Sequence, residues 1–349
     1  MGMPRKRITI EDVARAAGVH ASTVSRALNP QRQALVTGAV AARVAAAARR
    51  LGYRPDPVAA GLRTRRSSTI GVLVPDIANP LFPPILRGIE AALGDAGYTA
   101  IIANTDNDPQ RASDALERLA ARRADGIILA TASRRDSLLE RCRKLGLPVV
   151  LVNRSIDGGS VSAVVTDDEA GAALAVRHLA LLGHRAIGHV AGPRRLSTGA
   201  QRRRGFVAAL RAIGAGTQPP PIAEAETYEI EAGARAAAAL LATNPGITAI
   251  VAANDLLALG CYDEAKRLGL ACPRDISITG FNDMPFADRF DPPLTTVRIP
   301  HRAMGAEAAR LLLAEIDNPR SPKREIELQP ELVVRGSTAR PRAGPPPAR

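Results

Sequence analysis

The chain has 349 residues, of which 46% are hydrophobic and 3% aromatic, and its 47 lysines and arginines against 34 acidic residues give a net charge of +13. This length and apolar content suffice for two or three packed domains and exclude a mainly disordered chain. No apolar run approaches the roughly 18 residues of a membrane span, and residues 1–7 are basic without a following apolar signal core, so we expect no export.

The positive charge is concentrated at the N-terminus. Residues 1–66 contain 13 basic and 3 acidic side chains, a net +10, whereas residues 67–334 contain 30 and 31, a net −1. Such a localised basic region is typical of a nucleic-acid-binding domain, because a mere arginine bias would spread evenly. Three scattered cysteines fit a reducing cytoplasm better than a disulfide framework.

Three helices are predicted within residues 9–51. Thr9 with Asp12 forms a capping-box pattern that begins the first helix, and Gly18 ends it. A second short helix covers about 22–28, and a third about 37–51. Two short helices around a glycine turn, followed by a supporting helix, predict a helix-turn-helix that places its second helix in the major groove of DNA.

Residues 55–68 predict a hinge helix and linker. Asp56 can cap this helix and Pro57 fits its first position, but only about two turns follow. So short a helix needs contacts from DNA and a partner chain to fold. Leu62, an apolar side chain between basic residues, is either a minor-groove wedge, a buried anchor or a linker residue.

Apolar runs alternate with amphipathic stretches from residue 67 to 340. Strands are predicted at about 70–75, 99–104, 126–130, 148–153, 163–166, 186–191, 249–254, 276–281 and 325–334. Strands that alternate with helices predict parallel sheets with right-handed crossovers. About nine such units exceed one sheet, so we expect two lobes.

Polar and aromatic side chains follow these strands, where open α/β sheets bind ligands. Carboxylates, amides and an arginine beside aromatic rings suit a small polar ligand with an apolar face, such as a sugar or nucleobase. Helix capping is the alternative role, and we expect it for Asp168 and Asp255. Phe82 and Tyr228 are the expected stacking surfaces. The candidate effector residues are Asp76, Leu81, Phe82, Asn153, Thr198, Arg202, Tyr228, Asn254 and Asn282.

Catalytic and cofactor-binding patterns do not stand out in the sequence. It has no nucleophile elbow, no GxGxxG and no P-loop, and His178, His184 and His189 lack a clear metal-ligand spacing. We therefore expect no catalytic residues, no metal site and no cofactor.

The motifs TIEDVA (9–14), AGV (17–19), TVSRALN (23–29), LGYRP (51–55) and LVVRGS (332–337) together resemble the LacI/GalR family of bacterial transcription regulators. The resemblance covers nearly the whole chain. It implies a helix-turn-helix domain (1–54), the hinge and linker (55–68) and a periplasmic-binding-protein-like effector domain (69–340). The implied N-lobe spans about 69–165 and 297–316, and the C-lobe about 166–293 and 325–335; residues 341–349 are an expected disordered tail.

The resemblance also implies individual roles. It makes Leu62 the minor-groove wedge and Arg202 the hallmark ligand-binding arginine. His20 stands where a serine usually caps the recognition helix, so it could cap, contact DNA or do neither. Asn153 and Asn282 replace family acids, which implies a different hydroxyl pattern in the effector. The candidate DNA contacts are Thr9, His20, Ala21, Ser22, Thr23, Ser25, Arg26, Asn29, Tyr53, Ala59 and Leu62.

These observations predict a cytoplasmic, nucleoid-associated transcriptional regulator that acts as a repressor. A homodimer would bind a near-palindromic DNA operator under the control of a small polar effector, a sugar or related metabolite, in the cleft between the lobes. The alternatives are a solute-binding protein for sugar transport, which predicts an exported chain, and an α/β enzyme, which predicts turnover of a sugar or nucleoside.

Overall fold

The computed structural model describes residues 8–28, 30–53, 66–215 and 219–342, the side chains of residues 30–32 excepted. The chain divides into two compact units, residues 1–67 and 68–349. The boundary falls within the linker predicted at 55–68. The predicted hinge helix, with Ala59 and Leu62, lies outside the described residues, as does Asn29.

The first unit is all-α. It contains α1 (Ile10–Ala17), α2 (Ala21–Ala27) and α3 (Gly38–Leu51), with a 3₁₀ turn at Pro30–Leu35. Small apolar side chains from the three helices form its core, which allows the helices to pack closely; the buried members are Val13, Ala14, Ala17, Val24, Ala27, Ala41, Val44, Ala47 and Ala48. The predicted helix-turn-helix architecture is therefore confirmed.

Local sequence signals fix the ends of these helices. The predicted capping box is present at α1, because the hydroxyl oxygen of Thr9 accepts from the amide of Asp12 and the Asp12 carboxylate accepts from the amide of Thr9. Gly18 and Gly52 end α1 and α3 with φ values of +61° and +67°, where a side chain would be strained.

A six-stranded parallel sheet forms the first lobe of the second unit. Its strands are β1 (Thr69–Val74), β2 (Thr99–Asn104), β3 (Gly126–Leu129), β4 (Val149–Val152), β5 (Ser162–Thr166) and β11 (Glu325–Leu328), in the spatial order β11–β5–β4–β3–β1–β2. The connecting helices are α4 (Phe82–Asp95), α5 (Pro109–Ala121) and α6 (Ser137–Lys144). β3, β4 and β5 are buried throughout, as expected for a sheet covered on both faces.

A second six-stranded sheet forms the other lobe. It contains β6 (Ile187–Ala191), β7 (Ile222–Glu224), β8 (Ala249–Ala252), β9 (Ser277–Asn282), β10 (Thr295–Arg298) and β12 (Glu331–Val333), in the order β12–β10–β9–β8–β6–β7. Only the β10–β12 pair is antiparallel among its described pairs. Its helices are α7 (Asp168–Leu181), α8 (Ser197–Ala212), α9 (Ile230–Thr243) and α10 (Asp255–Arg267). The two-lobed α/β prediction is confirmed.

Helix α11 (His301–Asp317) follows a strand of the second lobe but packs against α4 of the first. The two helices approach so closely that a Cβ atom on Gly88 would lie 2.1 Å from the carbonyl oxygen of Arg302, and one on Gly305 would lie 2.0 Å from that of Ile85. Glycine is therefore required at this crossing. None of the helices in the described ranges is long and apolar enough to cross a membrane.

Two predicted assignments near the C-terminus are wrong. The expected single strand 325–334 is two strands, and β11 pairs with β5 in the first sheet, so its residues do not belong to the C-lobe. Pro330 lies between β11 and β12 and cannot donate a ladder hydrogen bond, which suits a point where the chain changes sheets. β10 pairs with β9 in the second sheet, so Val297 and Arg298 do not belong to the N-lobe.

Candidate functional site

Helix α2 turns one face into the core and the opposite face outward. Val24 and Ala27 are buried. Arg26 is exposed, while Ser22 and Ser25 are partly exposed, as are Ala21 and Thr23. A short helix with an outward arginine and hydroxyls at its N-terminal end suits base edges and phosphates of a major groove. The DNA-contacting roles of these side chains stay predictions.

His20 is the N-cap of α2. Its Nδ1 accepts a hydrogen bond from the backbone N–H of Ser22 at 3.2 Å, and the Ser22 hydroxyl lies 2.8 Å from the same nitrogen. Of the three roles that the sequence left open, the structure therefore shows capping. Imidazole replaces the hydroxyl that usually performs this task.

Two further candidates of the first unit have structural contacts. The Thr9 hydroxyl donates to the Asp12 carboxylate at 2.9 Å, and Tyr53 packs partly against the core of the unit. Arg43, which the sequence reading did not select, donates from Nε to the carbonyl oxygen of Ala17 at 2.9 Å. It satisfies an orphan carbonyl at the end of α1, so this basic residue has a structural role.

A single cavity in the cleft of the second unit brings together all nine candidate effector residues. Its lining draws on segments that follow strands of both lobes, as the strand-end argument predicts. The predicted residues in its wall are Asp76, Leu81, Phe82, Asn153, Thr198, Arg202, Tyr228, Asn254 and Asn282. Their contact with a ligand stays a prediction.

Arg202 stands at the centre of a buried network. It is 3% exposed. Its Nε donates to Asp168 at 2.7 Å, Nη1 to the carbonyl oxygen of Ala253 at 2.6 Å and Nη2 to Asn282 at 3.3 Å. The guanidinium also lies 3.7 Å from the ring centroid of Phe281. Three of its five N–H donors are thus used, and no hydrogen bond within the described ranges uses the other two.

The capping roles expected of Asp168 and Asp255 are wrong. Asp167 caps α7 and Asn254 caps α10, each one residue earlier. Asp168 instead pairs with Arg202, and burial raises its pKa while that guanidinium opposes the shift.

Asp255 accepts hydrogen bonds from the amide of Met284 and the hydroxyl of Thr296. Burial raises its pKa to about 7, although both hydrogen bonds act in the other direction. Two adjacent polar residues stand at the start of each helix. The local sequence therefore cannot show which of them caps the helix and which is buried.

The two expected stacking residues differ in what they can offer a ligand. Phe82 is only 2% exposed and belongs to the apolar core, so little of its ring face is available in this conformation. Tyr228 is half-buried, and its hydroxyl lies 3.1 Å from that of Thr198. A Cβ atom on Gly192 would lie 2.4 Å from the Tyr228 ring, so this glycine makes room for the aromatic wall.

Several lining residues were not selected from the sequence. Arg154 and Arg195 also line the cavity, together with Asn107 and Glu229. Arg154 directly follows Asn153 at the end of β4, so the strand-end argument could have found it. Arg195 comes from a loop, and nothing in its local sequence separates it from a solvated arginine.

The two lobes are in contact across the cleft. The backbone N–H of Arg134 donates to the carbonyl oxygen of Arg195 at 2.9 Å, and that of Ser155 donates to the Ser197 hydroxyl at 2.9 Å. The cavity between them measures about 60 Å³, below the few hundred Å³ of typical ligand sites. A neighbouring cavity of about 460 Å³ shares Asn107, Arg154, Arg195 and Leu196 with it.

His184 and His189 of the second unit have structural contacts. His184 bonds to Thr248 and Ser277 side chains, and His189 stacks on Phe206 with ring centroids 4.7 Å apart. Burial lowers the pKa of His189 to about 4. Within the described ranges, no group of three or more His, Cys, Asp or Glu residues could hold a metal ion.

Comparison with known proteins covers both units. Residues 9–56 match the bacterial regulatory proteins of the lacI family, and residues 67–334 match the periplasmic binding proteins and sugar binding domain of that family. The HTH-type transcriptional regulator MalR of Streptomyces coelicolor is 38% identical over 338 residues, which are 95% of this chain and 96% of the relative.

Two solved structures share the architecture. The complex of the transcriptional regulator CelR with cellobiose has a TM-score of 0.74 at 30% identity and covers 95% of this chain and 100% of its own. The lac repressor dimer bound to operator and the anti-inducer ONPF has a TM-score of 0.80 at 26% identity and covers 96% and 100%. The similarity therefore extends over both units.

Proposed function

The chain belongs to the LacI family of bacterial regulatory proteins, and on this basis we propose that it is a repressor whose operator binding is controlled by a sugar held between its two lobes. It is a DNA-binding transcriptional regulator. The observation that carries the sugar proposal is the convergence of amides, two carboxylates, three arginines and Tyr228 on one cavity. The CelR neighbour, solved with cellobiose, supports the same class of ligand.

The effector acts in this proposal by changing the separation of the lobes. The cavity of about 60 Å³ is below the few hundred Å³ of typical ligand sites, so the proposal has the lobes part to admit a sugar. Hydrogen bonds between the lobes, such as that from the Ser155 amide to the Ser197 hydroxyl, then break. A ligand that favours one arrangement shifts the population of DNA-binding conformations by its differential affinity.

We further propose a homodimer on a near-palindromic operator, because one helix-turn-helix reads only a half-site. β2 is an edge strand of the first sheet, and Ile102 on it is 44% exposed. A cavity of about 190 Å³ beside it is lined by Leu86, Ile89 and Tyr98, among others. An exposed apolar edge of this kind suits burial against a second copy. Sedimentation of Ile102→Glu should show more monomer than Leu181→Glu, which changes a leucine 88% exposed elsewhere.

The regulatory proposal is tested by genome-wide footprinting, followed by titration of the recovered operator complex with mono- and disaccharides. We expect a sugar to change operator affinity at least tenfold. Tyr228→Leu should weaken that response and keep basal DNA binding. Tyr262→Leu is the matched control, since this half-buried tyrosine of the same lobe bonds to Pro292 and does not line the cavity. Equal sugar responses in both variants would contradict the placement of the site.

A further inference from the structure

Arg154 is a buried cation with unmet hydrogen-bonding capacity. Only 6% of its surface is exposed. Within the described part of the chain, its Nη1 donates to the carbonyl oxygen of Thr131 at 3.2 Å, and its buried Nε has no partner. A guanidinium carries five N–H donors, so most of those on Arg154 are unused by the protein.

Arg154 also lacks the compensation that the neighbouring buried arginine has. Arg202 pairs with Asp168, whereas no carboxylate within the described ranges forms an ion pair with Arg154. Burial lowers the pKa of Arg154 to about 10, and the positive charges of Arg195 and Arg202 act in the same direction. The side chain still carries its charge at neutral pH, and a buried charge without a partner is costly.

The two carboxylates that line the larger cavity accept hydrogen bonds from backbone amides at helix starts. Asp136 accepts from the amides of Ser133 and Leu138 and caps α6. Asp108 accepts from the amide of Gln110 and caps α5 in the same way. The charge of Asp136 favours the charged form of Arg154 from a distance, but neither carboxylate forms an ion pair with that guanidinium within the described ranges.

Arg154 lies where the two cavities of the second unit meet. It lies in the wall common to the cavity between the lobes and the larger neighbouring cavity. Arg195, which is exposed, lines both cavities as well, so two guanidinium groups border the junction. Planar guanidinium forks bind carboxylate and phosphate groups in bidentate fashion.

We propose that the effector carries an anionic group, a phosphate or a carboxylate, which binds Arg154 at the junction of the two cavities. This inference rests on the proposed function, since it takes the ligand of this cleft to be the effector. A neutral sugar could satisfy the N–H donors with hydroxyl oxygens, but it would leave the buried charge uncompensated. An anionic group would accept hydrogen bonds from the N–H donors and also compensate the buried charge.

The test uses inorganic phosphate and acetate as probes on the full chain, with chloride replaced at constant ionic strength. Thermal unfolding of the wild type should shift upward saturably with one of the two anions, and which of them does so separates phosphate from carboxylate. Arg154→Gln should weaken the apparent anion affinity about tenfold or more. Arg135→Gln is the matched control, because Arg135 is an exposed arginine of the larger cavity and should keep the shift.

The melting temperatures of the wild type and Arg154→Gln without any anion distinguish a ligand-binding role of Arg154 from a structural one. With no anion present, Arg154→Gln should melt at the same or a higher temperature than the wild type, because it removes an unpaired buried charge. A clearly lower melting temperature would make Arg154 a structural residue and overturn the inference. The inference would also be overturned if neither anion stabilised the wild type saturably. The same holds if the anion stabilised Arg154→Gln as strongly as the wild type. If a neutral sugar still releases the operator in those cases, the proposed function stands without this inference.

Discussion

The two units of the molecule differ in whether they bury charged side chains. In the first, every buried side chain among residues 8–28 and 33–53 is apolar, and the charges lie outside. In the second, the buried side chains include Arg154, Asp168, Arg202 and Asp255. A net +10 over residues 1–66 against −1 over residues 67–334 shows the same division. Exposed charge attracts an extended polyanion, whereas a buried charge must be paired or hydrogen-bonded by the protein or by a ligand.

Two arginine pairs between α7 and α8 give the sharpest test of this contrast. Arg202–Asp168 and Arg204–Glu169 are both 2.7 Å long, but the first pair is 3% and 2% exposed and the second 55% and 47%. Arg202→Ala should destabilise the second unit by about 3–5 kcal/mol, because it leaves a buried carboxylate unpaired. Arg204→Ala should cost about 0–1 kcal/mol. Urea unfolding of both variants measures the difference, and equal losses would refute the role of burial.

The acid response of the second unit is the next largest effect. Since the folded state holds His189 neutral with a pKa of about 4, the unfolded state binds the proton first as the pH falls below about 6.5. Stability is therefore full above that pH and declines toward pH 4, by about 3 kcal/mol from this one group. Urea unfolding measured at several pH values between about 4 and 6.5 should show that the stability of His189→Gln depends less on pH than that of the wild type.

Asp255 should act with the opposite sign over much of the same range. Its pKa of about 7 in the folded state means that it must ionise against burial as the pH rises from about 4 to 7. The contribution of Asp255 to the free energy of unfolding is therefore lost as the pH rises through that interval. Asp255→Asn should make the rise of stability with pH steeper than in the wild type, and a flatter profile would contradict the assignment.

For the first unit, the outward charge should matter for DNA and little for folding. Arg26→Ala should lower operator affinity by about 1–3 kcal/mol, roughly 5- to 150-fold, if this side chain reads a base pair. Arg15 is also exposed but sits on α1 beside Asp12, so Arg15→Ala is the control. Electrophoretic mobility shifts at several salt concentrations separate a base contact from a phosphate contact, since only loss of the latter reduces the salt slope by about one.

The smallest expected effect concerns the cap of α2. His20→Ala should destabilise the first unit by about 1 kcal/mol, because the amide of Ser22 loses its acceptor. His20→Ser should restore most of that loss. Hydrogen exchange of the α2 amides measures local opening. Equal protection in the alanine and serine variants would argue against a capping role.

The sequence alone determined the features that depend on local pattern. The charge division, the capping box at Thr9, the three helices of the first unit and the strand–helix alternation are read from neighbouring residues. Strand ends then predict which side chains converge, because parallel strands finish at one edge of a sheet. All nine candidate effector residues line the same cavity for this reason.

Only the tertiary structure decided what depends on burial and long-range pairing. The division of residues 325–334 between two sheets follows from which edge strand each half meets, β5 or β10. Whether Asp167 or Asp168 caps α7 follows from which one faces Arg202. Arg154 reads locally as one more arginine among many. Its burial and its hydrogen bond to Thr131 are seen only in the folded structure, because the whole fold determines which side chains are desolvated.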